Sequence, residues 1–202
     1  MSDRLLVAYA DPPYIGQSKK HYKDHSDYAG EVDHGDLIDR LIGEYPDGWA
    51  LSLHMPSLGT ILDLLRVRGL SQSAGDIRTL AWVKTFGAFK RNVRVAYVWE
   101  PVIICPPIRL VGSYPTRDFA IDGEVLAEPI AMKRGLSGAK PERFCYWLFN
   151  CLGLRACDTL DDLFPGTGGV SDAFNTWCEL GGPKLKQSVK VTNDLINLTP
   201  DP

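Results

Sequence analysis

The chain has 202 residues, 45% of them hydrophobic and 23% charged, which is material for one sizeable core and excludes the disordered, collagen-like and coiled-coil classes. Its formal net charge is -3, but the charge is uneven: from Ile77 to Trp99 stand Arg78, Lys84, Lys90, Arg91 and Arg94 with no acid among them. Five cysteines, Cys105, Cys145, Cys151, Cys157 and Cys178, without any Cys-x-x-Cys pair, speak against a disulfide framework or a zinc ribbon. The N-terminus has no signal-peptide pattern and no apolar run approaches about 18 residues, so a cytoplasmic protein that does not span a membrane is expected.

Leu5 to Ala10 is an apolar run halted by Asp11-Pro12-Pro13, the pattern of a buried parallel strand entering a loop. Residues 15 to 36 are polar and hold three of the four histidines, and loops of that length tend to be functional or mobile. Asp36 is expected to cap an amphipathic helix through Leu37, Ile38, Leu41 and Ile42. Gly48 to Leu53 reads as a second buried strand, and Ser57 to Val67 as a second helix. Thr79 to Lys84 and Val93 to Cys105 are strand-like, joined by a turn around Gly87. Residues 106 to 139 look irregular. Pro141 to Leu152 is a helix, Thr159 to Phe164 a strand, and Ser171 to Trp177 a helix beyond a glycine-rich turn. Strands alternating with helices predict an α/β sheet covered on both faces.

Two strand ends carry chemistry, because open α/β sheets bind ligands at the carboxyl edge of their strands. The first is Asp11-Pro12-Pro13-Tyr14. A nucleobase amine is a weak nucleophile, its lone pair being delocalised into the ring. A carboxylate and a carbonyl that accept its two N–H bonds favour pyramidal nitrogen and free the lone pair. Asp11 and the carbonyl of Pro12 suit that task, Pro13 stiffens the turn, and Tyr14 can stack on an extracted base. The plainer reading is an aspartate capping a proline-stiffened turn. The second strand end is Asp162-Leu163-Phe164-Pro165-Gly166-Thr167-Gly168-Gly169. Its glycines allow close backbone approach to a ligand, and a helix start follows. No lysine follows as a phosphate loop requires, and the spacing is not that of a dinucleotide fingerprint. A carboxylate beside a short glycine turn fits the amino-acid part of S-adenosylmethionine better.

Together the two motifs resemble those of the DNA amino-methyltransferases, a family that joins a D-P-P-Y catalytic turn to an F-x-G-x-G cofactor turn. The stretch Lys140-Pro141-Glu142-Arg143-Phe144 to Leu154, followed by Asp158 to Phe164 and Gly166-Thr167-Gly168, is similar to the family's cofactor segment. With the catalytic motif first, the order is the one called beta class, and the pattern resembles phage or actinobacterial adenine methylases. The resemblance covers residues 1 to 105 and 139 to 177. It implies a Rossmann-like class I methyltransferase fold in permuted order, as a single domain with a catalytic half (1–105), a short recognition or linker segment (106–139) and a cofactor half (140–202). It further implies methyl transfer from S-adenosylmethionine to adenine N6 in DNA. Asp11, Pro12, Pro13 and Tyr14 would form the base site. Lys140, Pro141, Asp162, Phe164, Pro165, Gly166, Thr167 and Gly168 would form the cofactor site. No metal is implied.

The chain departs from the family in two places. Only 34 residues follow Gly168, room for one helix and at most one strand, Ser188 to Thr192. A sheet shortened on the cofactor side is therefore expected, with Asp194 or Glu179 as ribose ligand. The segment 106–139 is too short for an independent recognition domain. A homodimer or a partner subunit could complete either side, and a non-catalytic nucleic-acid-binding subunit, or transfer to RNA or to a protein amide, are the rival readings. Lys19, Lys20, Lys23, Lys84, Arg91 and Arg94 are the expected nucleic-acid contacts. His21, His25 and His34 lie among acids, but their spacing matches no metal motif. Trp82 and Trp99 read as core, and the cysteines as buried and inert.

Overall fold

In a computed structural model of the chain, the described residues are 4–16, 31–84, 95, 97–107, 125–127 and 139–182. Among them six strands form one sheet, β1 (Leu6–Ala10), β2 (Trp49–Ser52), β3 (Arg78–Val83), β4 (Trp99–Cys105), β5 (Val125–Ala127) and β6 (Thr159–Asp162), in the order β5-β3-β4-β2-β1-β6. The central strand β1 runs parallel to both β2 and β6. β4 is antiparallel to its neighbours β2 and β3.

The period of two along β1 sorts its side chains onto two cores. Val7 and Tyr9 join Leu80, Trp82, Val102 and Ile104 on one face, which is covered by α3 (Glu142–Cys151) and α4 (Gly169–Glu179). Ala8 and Ala10 join Leu51 and Ile103 on the other, covered by α1 (His34–Glu44) and α2 (Leu58–Arg66). The helices face inward for the reason their spacing gives: Leu37, Ile38 and Leu41 of α1, and Phe144, Trp147 and Leu148 of α3, recur three and four residues apart and are buried. Each such side chain contributes about 1.5–3 kcal/mol when fully buried. With both faces covered, ligand access is left to the strand ends.

Several boundaries differ from the sequence reading. Asp33, not Asp36, caps α1, its side chain accepting from the amides of Gly35 and Asp36 at 2.7 and 3.1 Å. Asp36 lies in the first turn, where its charge suits the positive helix end. β4 begins at Trp99 rather than Val93, and β6 stops at Asp162, so Leu163 and Phe164 belong to the turn. α4 starts at Gly169, two residues before Ser171. The segment read as irregular supplies β5, which pairs in parallel with β3. Among the described residues β6 pairs only with β1, and the candidate strand 188–192 lies outside them.

Candidate functional site

β1 and β6 end side by side. Tyr9 is in register with Asp162, and the amide of Leu163 donates to the Tyr9 carbonyl at 2.9 Å, continuing the ladder into the turn. Asp11, one residue past β1, and Asp162, the last residue of β6, therefore open on the same carboxyl edge. β2 ends on that edge too, since the Tyr9 hydroxyl and Ser52 Oγ are hydrogen-bonded at 2.9 Å.

Asp11 is held by Lys140. The Lys140 ammonium lies 2.9 Å from Oδ1 and 2.8 Å from Oδ2, and the lysine side chain is only 5% exposed against 22% for the aspartate. The rings of Trp82 and Phe144 stand 5.5 and 5.8 Å from the same nitrogen, within cation–π range. Burial acts to lower the pKa of Lys140, but the charges of Asp11 and Glu100 outweigh it and hold the ammonium above its ordinary value. Burial and the Asp11 charge push the Tyr9 phenol well up, so it stays neutral.

Tyr14 stacks on His54, with ring centroids 5.2 Å apart and planes 12° from parallel, and Tyr97 meets His54 edge-on at 6.4 Å. His54 follows β2 by two residues, much as Asp11 follows β1. Tracing the Gly48 to Leu53 run to its carboxyl end would have found it.

Asp162 presents a contrasting environment. Its Oδ1 accepts from the Phe164 amide at 3.4 Å, while Oδ2 is buried and has no hydrogen-bond partner. Burial raises its pKa, hydrogen bonding from the Phe164 amide and the Ser171 side chain opposes this, and the Asp11 charge adds to the rise. Gly166 and Gly168 adopt φ of 51° and 79°, a left-handed backbone that side chains disfavour. The turn closes with the Gly168 amide on the Pro165 carbonyl at 2.7 Å, and Gly168 is the N-cap of α4. Pro165, Gly166 and Thr167 are exposed, and Phe164 packs partly into the core beside α1 and α2. Pro141 is the cap of α3, its carbonyl accepting from Cys145 at 3.2 Å. An unpartnered buried carboxylate oxygen beside an exposed glycine turn fits a cationic donor, and with it the ammonium of an amino-acid moiety.

Other candidates fall elsewhere. Lys84, read as a phosphate contact, is ion-paired with Glu100 on β4 and lies 5.3 Å from the Trp82 ring centroid. The pair brings a basic-run residue under local charge balance, because Trp82 and Glu100 are in register. Glu179 is exposed at the end of α4. His34 is buried, its Nδ1 3.0 Å from the Val32 carbonyl oxygen. Trp82 is core, Trp99 only half-buried, and Cys157 is exposed. Lys19, Lys20, Lys23, Arg91, Arg94, His21, His25 and Asp194 lie outside the described residues. Among the described residues no group of His, Cys, Asp and Glu could hold a metal ion, and no helix is long and apolar enough to cross a membrane.

No protein-family model and no curated protein matches the chain. Solved structures do. M1.HpyAVI is 13% identical, with 86% of this chain and 76% of that one aligned at a TM-score of 0.52. PvuII DNA methyltransferase (cytosine-N4-specific) is 12% identical over 84% and 71% at 0.50. A candidate DNA modification methylase from Thermus thermophilus is 17% identical over 84% and 75% at 0.50. The likeness at these identities is one of fold: the chain has the Rossmann-like α/β architecture of class I methyltransferases. The strand bearing the Asp-Pro-Pro-Tyr turn comes first in the chain, and the strand bearing the glycine turn last of the six.

Proposed function

We propose that this protein is an S-adenosylmethionine-dependent DNA amino-methyltransferase acting on the N6 amine of adenine. The observation that carries the reading is the meeting of Asp11-Pro12-Pro13-Tyr14 with the Asp162 to Gly168 turn at adjoining ends of two paired parallel strands. Both reacting partners then have a place at one edge. Neighbours of the same fold that are named as a cytosine-N4-specific DNA methyltransferase and a DNA modification methylase support the coarser part of this reading, amino-methyl transfer to DNA.

Asp162, with its partnerless buried oxygen, and the exposed turn through Gly166 and Gly168 would hold the amino-acid end of S-adenosylmethionine. When bound, that cofactor supplies an electrophilic methyl group. On the other side, Asp11 accepts one N–H of the target amine and the Pro12 carbonyl the other, so the lone pair turns out of the ring plane. Tyr14, backed by His54, offers a rigid ring surface to a base withdrawn from the helix. Orientation of the amine is the main contribution asked of these residues. Phosphate contacts by Lys19, Lys20, Lys23, Arg91 and Arg94 would add affinity without reading sequence.

The test is to incubate the protein with methyl-labelled S-adenosylmethionine and DNA, digest to nucleosides and identify the labelled base by mass spectrometry. Label in N6-methyladenine is the expected result. Label in N4-methylcytosine would overturn the choice of base, label only in an RNA control would overturn the polymer, and no label in any of them would overturn the reading.

A further inference from the structure

The family resemblance places Lys140 at the cofactor end, but its ammonium sits on the two oxygens of Asp11 and contacts no residue of the glycine turn in any described hydrogen bond or ion pair. We infer that Lys140 is a positioning residue of the target-amine site, the counter-ion that grips the Asp11 carboxylate through both oxygens and fixes the direction in which it accepts from the amine; this rests on the methyltransferase reading above.

The geometry is specific. A lysine whose side chain is 5% exposed must be compensated where it is buried. Its compensation comes from one aspartate gripped through both oxygens, with the Trp82 and Phe144 rings beside the nitrogen. Trp82 in turn has the second lysine, Lys84, beside its ring, and Lys84 is neutralised by Glu100. Two ion pairs thus adjoin one indole, and Lys140 has little room to leave Asp11. The titratable groups around Lys140 and Asp11 are Glu100 on β4, Lys84 following β3, Cys145 on α3, Tyr9 on β1 and Asp162 on β6. Of these, Asp162 and Glu100 carry the same sign as Asp11. Removing Lys140 would leave Asp11 part-buried beside like charge and without the contact that fixes its orientation toward the amine.

The experiment pairs steady-state methyl transfer to duplex DNA with calorimetric titration of S-adenosylmethionine, for the wild type, Lys140→Met, Lys140→Gln and Lys140→Arg. Met and Gln should each lower kcat at least about 30-fold, roughly 2 kcal/mol by the tenfold-per-1.36 relation, while cofactor Kd stays within about threefold of wild type. Arg, which keeps the charge and can grip both carboxylate oxygens, should recover a substantial part of kcat. Melting curves identify a variant that does not fold, and the Gln form provides the answer if Met fails. Parallel loss of cofactor affinity would return Lys140 to the cofactor site and overturn the inference, as would unchanged kcat in the Met and Gln forms. An inactive wild type would overturn the proposed function and this role with it, whereas an active wild type with active Met and Gln variants overturns this role alone.

Discussion

Asp11 and Asp162 end neighbouring parallel strands on one sheet edge, yet their surroundings are opposite. Asp11 has both oxygens on a buried ammonium supplied by the chain itself. Asp162 keeps one oxygen buried without a partner, and burial raises its pKa. A carboxylate neutralised from within can receive a neutral amine without an unpaired charge being created. A carboxylate left uncompensated costs the folded state free energy and has most to gain from a cationic ligand. Under the proposed function, the difference would divide the edge into a half for the acceptor base and a half for the cofactor.

The largest expected effect comes from removing the compensated carboxylate. Asp11→Ala should lower methyl transfer by about a thousandfold or more, the scale of losing a preorganised group aimed at the reacting atoms. Cofactor affinity should stay within about threefold, because Asp11 acts on the other substrate. Transfer assays with calorimetry on the same preparation check this, and equal loss of both properties would break the division. Tyr14 sharpens it on the base side. Stacking on a base is worth about 1–3 kcal/mol, so Tyr14→Ala should lower kcat/KM for DNA about 5- to 150-fold, with Tyr14→Phe nearly silent. A dead Phe variant would mean that the hydroxyl is the working group.

The ionisation of Asp162 gives a smaller effect with a definite sign. Its folded-state pKa lies above the ordinary 3.8 because of burial, and its charged form is the one that binds a cation. As pH falls through that raised value the carboxylate takes up a proton, so cofactor affinity should weaken toward acid and binding in that window should release a proton. Titrations in buffers of different ionisation enthalpy would measure the release, and an affinity independent of pH down to about 4 would contradict it. The same raised pKa makes ionised Asp162 a cost to the unliganded fold above its unfolded value. Asp162→Asn should therefore raise the Tm of the free protein at pH 7 by about 2 °C, the gain fading toward acid as the wild-type carboxyl becomes protonated. Thermal melts at pH 7 and 4 check it, and a lowered Tm at pH 7 would show that the carboxylate is already compensated.

The two candidate turns, Asp11 to Tyr14 and Asp162 to Gly168, are legible in the sequence because each is a run of special residues at the end of an apolar strand, and the strand's own pattern places that end at the sheet edge. Their adjacency was harder to read, since Asp11 and Asp162 are brought together by the β1–β6 pairing and not by local spacing. The sequence marks Lys140 as a candidate site residue, but its contact with Asp11 is tertiary. A lysine 129 positions from Asp11 in the chain shows its partner only once α3 has packed on the sheet face and set Phe144 beside Trp82. The carboxyl end of the Gly48 to Leu53 run points to His54, whereas Tyr97, one tyrosine in a basic run, carries no local pattern; the contacts of His54 with Tyr14 and with Tyr97 are tertiary. Asp33 and Asp36 both precede the apolar stripe of α1, and the backbone geometry that makes Asp33 the cap is not visible in the sequence.

The division of the edge is tested most directly by titrating S-adenosylmethionine into the wild type, Asp11→Asn and Asp162→Asn proteins under one set of conditions. The account predicts that Asp162→Asn weakens binding by at least about 30-fold, as expected for truncating one side of a buried charge pair, while Asp11→Asn leaves it within about threefold. Equal weakening in both variants, or unchanged affinity in Asp162→Asn, would contradict the claim that the two carboxylates serve different substrates.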